Sequence, residues 1–278
     1  MPSTTDDGVN VHSLGQGEER STFRARAHAF AQKAAHRMLT PIGLQLRIHP
    51  DRRPRPFPEA TDEELELCSK FKPYTRTSRE RQWTLLRALE YVERRGMPGD
   101  IVECGVWQGG NMMMAKAFLK NSAIKRRFWL FDTFEGMAAP TDHDKASDGR
   151  DAASLYQARR KENRTEWCFA PLSDVTENFR RHALLDDAVV FRKGMVEDTL
   201  KASDLPEEIA ILRLDTDFYE STKVELDVLY PRLKAGGVLI IDDYGNWLGA
   251  RKAVDEYFAE SGPLFLPVDS SLRMAVKP

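Results

Sequence analysis

Only three cysteines occur in the 278 residues, Cys68, Cys104 and Cys168, and no two are spaced as C-x-x-C. Neither a disulfide framework nor a zinc cluster is indicated, so a reducing, cytoplasmic setting is expected. Long apolar runs are absent as well: the longest are strand-sized, which argues against a membrane-spanning helix. A basic excess is missing, since 41 Lys and Arg face 43 Asp and Glu. Nucleic-acid binders usually carry a positive surplus, so none is expected here. The opening residues, "MPSTTDDGVN", hold two aspartates and no apolar core, unlike a secretory signal.

What is present is a change of pattern along the chain. Residues 1 to about 20 read as disordered. "STFRARAHAFAQKAAHRM" is a basic, Ala-rich helix with a weak apolar face. It suits a peripheral helix packed on the domain or a neighbouring subunit better than a membrane-surface or targeting helix. "HPDRRPRPFPEA" holds four prolines and reads as an extended linker. These make residues 1–60 an N-terminal extension, ahead of a domain over 61–278. Thr61 followed by Glu64 forms a capping box, and Ser78 opens a second helix that stops at Gly96.

Beyond Pro98 five short apolar runs, "DIVECG", "RFWLFD", "AVVFRKG", "IAILRLD" and "GGVLIID", alternate with helical or polar stretches. This is the βαβ rhythm of an open parallel sheet. Each run ends on a glycine or an acid, so polar chemistry gathers at the carboxyl ends of the strands, where such sheets bind ligands. The tail "PLFLPVDSSLRMAVKP" suggests an antiparallel hairpin at the sheet edge. Residues 138–167 form a polar insertion after a strand end, readable as a lid over the site or as a surface loop.

In "IVECGVWQGGN" the first strand runs into a glycine turn. A dinucleotide fingerprint needs G-x-G-x-x-G, and Trp107 stands where bare backbone would be required, which counts against NAD or FAD. Glu103, two residues before Gly105, suits a ligand with an ammonium group, such as the methionine part of S-adenosylmethionine. Asp132 ends the next strand and is placed to accept ribose hydroxyl protons.

Four more carboxylates, Asp215, Asp217, Asp242 and Asp243, end two successive runs. Like charges in one site raise each other's pKa unless a cation intervenes. Oxygen ligands without His or Cys favour Mg²⁺, Mn²⁺ or Ca²⁺. Strand alternation would point Asp215 and Asp217 the same way, one as ligand and one free. Such an ion, beside a sulfonium cofactor, would hold two vicinal hydroxyls of an acceptor, leaving a free carboxylate to take the proton.

"YTRTSRER", "GDIVECGVWQGGN", "FDTFEGM", "LRLDTDFYEST" and "GGVLIIDDYGNWLGARKAVDEYF" resemble, in order, blocks of the macrocin O-methyltransferase (TylF-like) family. The resemblance covers roughly residues 70–260. It implies a Rossmann-like class I methyltransferase fold: a mostly parallel seven-stranded sheet with helices on both faces, here with an N-terminal helical extension. It implies S-adenosylmethionine and Mg²⁺ as cofactors, a glycoside as acceptor and a homo-oligomer, dimer or higher. By position it implies Asp215, Asp242 and Asp243 as metal ligands, Asp217 as base, and Glu103, Gly105 and Asp132 at the cofactor. Thr75 and Ser78 would meet the cofactor's carboxylate end, and the insertion would face the acceptor, with His143 either near the sugar or simply a polar loop residue.

Two rival classes fit parts of the pattern. A metal-dependent glycosyltransferase also places Asp-x-Asp at a strand end, but leaves Glu103 and the second aspartate pair without a task. A non-catalytic cofactor-binding scaffold would not need a full metal set.

Overall fold

The computed structural model describes residues 57–162 and 164–278. The expectations for the disordered start, basic helix and linker fall on residues outside that range. Ala60–Pro278 is one compact unit. Its first helix, α1 (Asp62–Phe71), starts at the capping box: Thr61 accepts from the Glu64 amide, and the Glu64 carboxylate accepts from the Thr61 amide. Helix α2 (Arg79–Arg94) is capped by the Ser78 hydroxyl and stops before Gly96, whose φ of +60° turns the chain away.

The five apolar runs are the strands β1 (Asp100–Cys104), β2 (Phe128–Asp132), β3 (Val189–Lys193), β4 (Ile209–Leu214) and β5 (Leu233–Ile241). The tail supplies β6 (Leu266–Pro267) and β7 (Arg273–Val276) as an antiparallel hairpin. The sheet order is β3-β2-β1-β4-β5-β7-β6, with the first five strands parallel. Chain direction across the sheet reverses between β1 and β4, the crevice where doubly wound sheets place ligands.

Both faces are covered, which explains why the strands read as continuous apolar runs rather than alternating ones. Phe71, Leu86, Leu89 and Met113 pack with Ile101, Leu130 and Ile211 on one face. These bring α1, α2 and α3 (Gly110–Phe118) there, joined by Val175 and Phe179 of α5 (Leu172–Arg181). The other face packs Val102, Trp129, Leu212 and Leu239 under α6 (Val196–Thr199), α7 (Tyr219–Leu229) and α8 (Leu248–Tyr257). The remaining helix, α4 (Ala152–Arg159), lies in the insertion. All three cysteines are free thiols, and no described helix is long and apolar enough to cross a membrane.

Candidate active site

The carboxyl tips of β1, β2, β4 and β5 surround a cavity of about 340 Å³. Gly105 follows β1 with φ +80°, and a Cβ there would lie 2.0 Å from the Asp215 carbonyl oxygen. Only glycine lets the tips of β1 and β4 approach this closely. The chain then turns through Val106 and Trp107, whose amides donate to Asp132 Oδ2 at 2.8 and 3.0 Å. The Phe134 amide donates to Oδ1 at 2.7 Å. Amides that a dinucleotide turn would offer to a pyrophosphate are thus spent on the chain's own carboxylate. Burial raises the Asp132 pKa, and these three amides oppose the rise. Asp132 borders the cavity.

Beneath the floor, strand register sets the chemistry. Glu103 of β1 lies opposite Arg213 of β4. Both are nearly solvent-free, at 1% and 3% exposure. Arg213 donates to Glu103 at 2.7 Å, to Asp215 at 2.6 Å and to Asp242. Burial alone would favour a neutral guanidine, but Asp215, Asp242 and Glu103 hold it charged and raise its pKa well above the ordinary value. Asn111 adds a bond to Glu103 at 2.9 Å and one to Thr77 at 3.0 Å, and Thr75 donates to Thr77 at 2.8 Å.

Two of the residues expected at the cofactor, Glu103 and Ser78, are not among those that border the cavity. Glu103 does not border the cavity: it is buried, its Oε1 accepts from Asn111 and Arg213, and its Oε2 has no hydrogen-bond partner among the described residues. Ser78 is not at the cavity either: its hydroxyl caps α2, and Thr75 and Thr77 line the wall instead. Thr75, Gly105 and Asp132 border the cavity.

Oxygens of Asp215, Asp242 and Asp243 lie within 4.8 Å of one another. Asp217 joins them at the cavity, but not by strand alternation. Strand β4 stops at Leu214, and Asp217 is turned in by a left-handed backbone, φ +69°. Burial is the main cause that raises its pKa to about 7; Asp215 and Asp242 add to the rise, while hydrogen bonds involving Asp243 and Trp247 oppose it. Asp215 and Asp243 are also pushed well above the ordinary carboxylate range, mainly by burial. Asp243 Oδ2 is buried with no hydrogen-bond partner among the described residues.

Positive charge at this cluster comes from the protein itself, which the sequence reading did not foresee. Arg213 bridges Glu103, Asp215 and Asp242, and Arg81 of α2 bonds Asp242 and Asp269. The available signal was Arg213 itself, a lone cation inside the apolar run "IAILRLD".

The insertion is docked on the domain. The Met137 amide donates to the Trp167 carbonyl at 2.9 Å, closing its base. Farther out, Ser147 donates to the Asn246 carbonyl at 2.8 Å and Leu248 to the Lys145 carbonyl at 2.9 Å. Trp167, Trp247 and Phe218 pack edge to face or tilted, with centroids 5.4 to 6.1 Å apart. Two of these rings, Trp167 and Trp247, border the cavity. His143 is exposed and does not: its ring sits on Tyr219, with centroids 4.7 Å apart.

A family model described as macrocin-O-methyltransferase (TylF) matches residues 49–268. The 8-demethyl-8-(2,3-dimethoxy-alpha-L-rhamnosyl)-tetracenomycin-C 4'-O-methyltransferase of Streptomyces olivaceus is 39% identical over 175 residues, 63% of either chain. The mycinamicin III 3''-O-methyltransferase of Micromonospora griseorubida is 38% identical over 174 residues, 62% of this chain and 65% of the relative. The match thus spans a little under two thirds of these curated relatives. Among solved structures, the O-methyltransferase NovP is 30% identical with a TM-score of 0.64, over 73% of this chain and 82% of NovP. The calicheamicin methyltransferase CalS11 shares the fold, with a TM-score of 0.54 at 18% identity over 78% of this chain and 93% of that one. The sheet and its helices are those of a class I methyltransferase.

Proposed function

As the chain belongs to the macrocin-O-methyltransferase family, we propose that it moves a methyl group from S-adenosylmethionine to a sugar hydroxyl of a glycoside. The observation that carries this reading is the aspartate cluster beside Asp217, at the same cavity as Asp132. Relatives named for methylation of a rhamnosyl group and of mycinamicin III make a natural-product sugar the first acceptor class to test. Polysaccharide and glycolipid sugars carry the same vicinal diol chemistry and belong in the same test.

The residues present fit a hard divalent cation. Three carboxylates converge, no His or Cys is among them, and the orphaned Asp243 Oδ2 lacks the partner that a buried oxygen needs. Asp215, Asp242 and Asp243 would hold Mg²⁺, which supplies Lewis acidity toward an acceptor hydroxyl. Asp217 takes the proton of that hydroxyl as general base, and its raised pKa suits that task near neutrality. Asp132 accepts from the cofactor ribose, and Gly105 leaves room for the adjoining chain. Thr75 and Thr77, braced by Asn111, face the methionine end. Glu103 acts one layer below, by fixing Asn111 and Arg213.

The decisive experiment is methyl transfer from labelled S-adenosylmethionine to a panel of 6-deoxyhexose glycosides, with metal removed and restored. Turnover should vanish in chelator and return with Mg²⁺, while S-adenosylhomocysteine still binds. Activity that persists after chelation and dialysis would make the aspartate cluster structural.

A second measurement addresses the cofactor. Asp132→Ala should weaken S-adenosylhomocysteine binding by about 1.5–3 kcal/mol, the scale of hydrogen bonds to a charged acceptor. It should also lower the melting temperature, because the Val106, Trp107 and Phe134 amides lose their acceptor. Calorimetry showing unchanged affinity would remove Asp132 from the cofactor site.

A further inference from the structure

Asp144 belongs to the insertion, yet it is 2% exposed. A carboxylate buried so far persists only if its oxygens are paired. Oδ2 accepts from the Thr141 amide at 2.7 Å and the Thr141 hydroxyl at 2.8 Å. Oδ1 accepts at 2.8 Å from the amide of Tyr219, the first residue of α7. The first amides of a helix have no partner within it, and Phe218 at the N-cap has no side-chain oxygen to offer. Asp144 supplies the missing cap from a distant part of the chain.

Helix α8 makes room for this contact. A Cβ on Gly249 would lie 2.1 Å from Asp144 Oδ1 and 3.1 Å from the Tyr219 nitrogen. Insertion, α7 and α8 therefore meet at one carboxylate. Two residues before Tyr219 stands Asp217, whose φ of +69° is costly for any residue with a side chain. Such a conformation lasts only where its neighbours over-determine it. One end of the loop is held from within α7, where Glu225 accepts from the Thr216 hydroxyl at 3.0 and 3.2 Å. The other end is held by Asp144.

We infer that Asp144 is a positioning residue, fixing Asp217 through the Tyr219 amide so that docking of the insertion and alignment of the base are one event. The inference rests on the reading of Asp217 as base. An Asp144 variant that loosens the loop should slow turnover without disturbing the cofactor, since Asp132, Thr75 and Thr77 lie on other elements.

The test compares Asp144→Ala, Asp144→Asn and Gly249→Ala with wild type as the Mg²⁺ and S-adenosylhomocysteine complex. Hydrogen exchange is followed in the peptide spanning 215–222, and kcat is measured with the best acceptor of the glycoside panel. Asp144→Ala and Gly249→Ala should speed exchange at the start of α7 and lower kcat roughly 10- to 100-fold, the scale of a misplaced catalytic group. Exchange in β1 and affinity for S-adenosylhomocysteine should not change. Asp144→Asn keeps an oxygen for the Tyr219 amide but turns a donor NH2 toward the Thr141 amide, so it should recover part of the kcat that Asp144→Ala loses. Unchanged exchange in both alanine variants would overturn the inference, and so would faster exchange with an unchanged kcat. Loss of cofactor affinity in parallel with kcat would overturn it too, by showing a merely structural role. If Asp144→Ala does not fold, Gly249→Ala carries the same decision. Asp217→Asn, assayed alongside, separates the two readings: if it keeps its turnover, the base assignment fails, whatever exchange shows at Tyr219.

Discussion

Asp217→Asn should lower turnover by roughly 10²–10⁴-fold, the usual cost of losing a general base, while the Mg²⁺ requirement stays nearly unchanged. The substitution keeps the size of the side chain and part of its hydrogen bonding with Asp243 and Trp247. What disappears is the proton acceptor. The three convergent carboxylates are untouched, so the cluster that would hold the ion remains whole. Asp242→Asn should behave in the opposite way, raising the Mg²⁺ concentration needed for half-maximal rate. Rate against Mg²⁺ for both variants distinguishes base from ligand. If excess metal rescued Asp217→Asn, Asp217 would be a ligand and the base would lie elsewhere.

The pH profile gives the same residue a second signature. A base works deprotonated, so the rate should climb with pH through the pKa of Asp217. Burial first, with Asp215 and Asp242 adding to it, raises that pKa to about 7 in the metal-free site. A bound cation would offset the like charges, so the climb should come at lower pH with metal than that value indicates. Asp217→Asn should lose this limb and leave any other ionisation in place. A profile of unchanged shape would contradict the assignment.

Much of this site is legible in the sequence alone, because the signals are local. The Thr61–Glu64 box, the Ser78 cap and the Gly96 stop depend on residues three or four apart or on one backbone angle. The five strands were legible as short, mostly apolar runs because the sheet is covered on both faces. Asp132 and the aspartate pairs followed from being at strand tips. What escaped is what tertiary register decides. Glu103 faces Arg213 only because β1 and β4 are neighbours in this alignment. Ser78 caps α2 through its hydroxyl and is not among the residues that border the cavity. Asp217 reaches the cluster through a left-handed residue, where alternation no longer applies. Asp144 looked like one more acid in a polar insertion, since its partner Tyr219 is 75 residues away.

Arg213→Met should destabilise the metal-free protein by about 3–5 kcal/mol, the cost of stripping one partner from a buried ionic network. The side chain is 3% exposed and donates to Glu103, Asp215 and Asp242. Methionine fills much of the volume but leaves those three acids without their shared cation. The native-state pKa values of Glu103 and Asp215, already raised by burial, must then rise further. An acid with a raised native pKa binds more protons folded than unfolded, so its contribution to stability falls as pH climbs past the unfolded value of about 4. The loss in Arg213→Met should therefore be small in mild acid, where the acids neutralise themselves, and largest above neutrality. Added Mg²⁺ should recover part of it, since a cation at Asp215 and Asp242 replaces some of the missing charge. Arg213→Lys should fall between the two, because a single ammonium cannot span three carboxylates as a guanidinium fork does. Denaturant melts at several pH values, with and without Mg²⁺, decide the point. A loss below about 1 kcal/mol, or one that does not vary with pH, would show that the acids are neutralised by something other than Arg213.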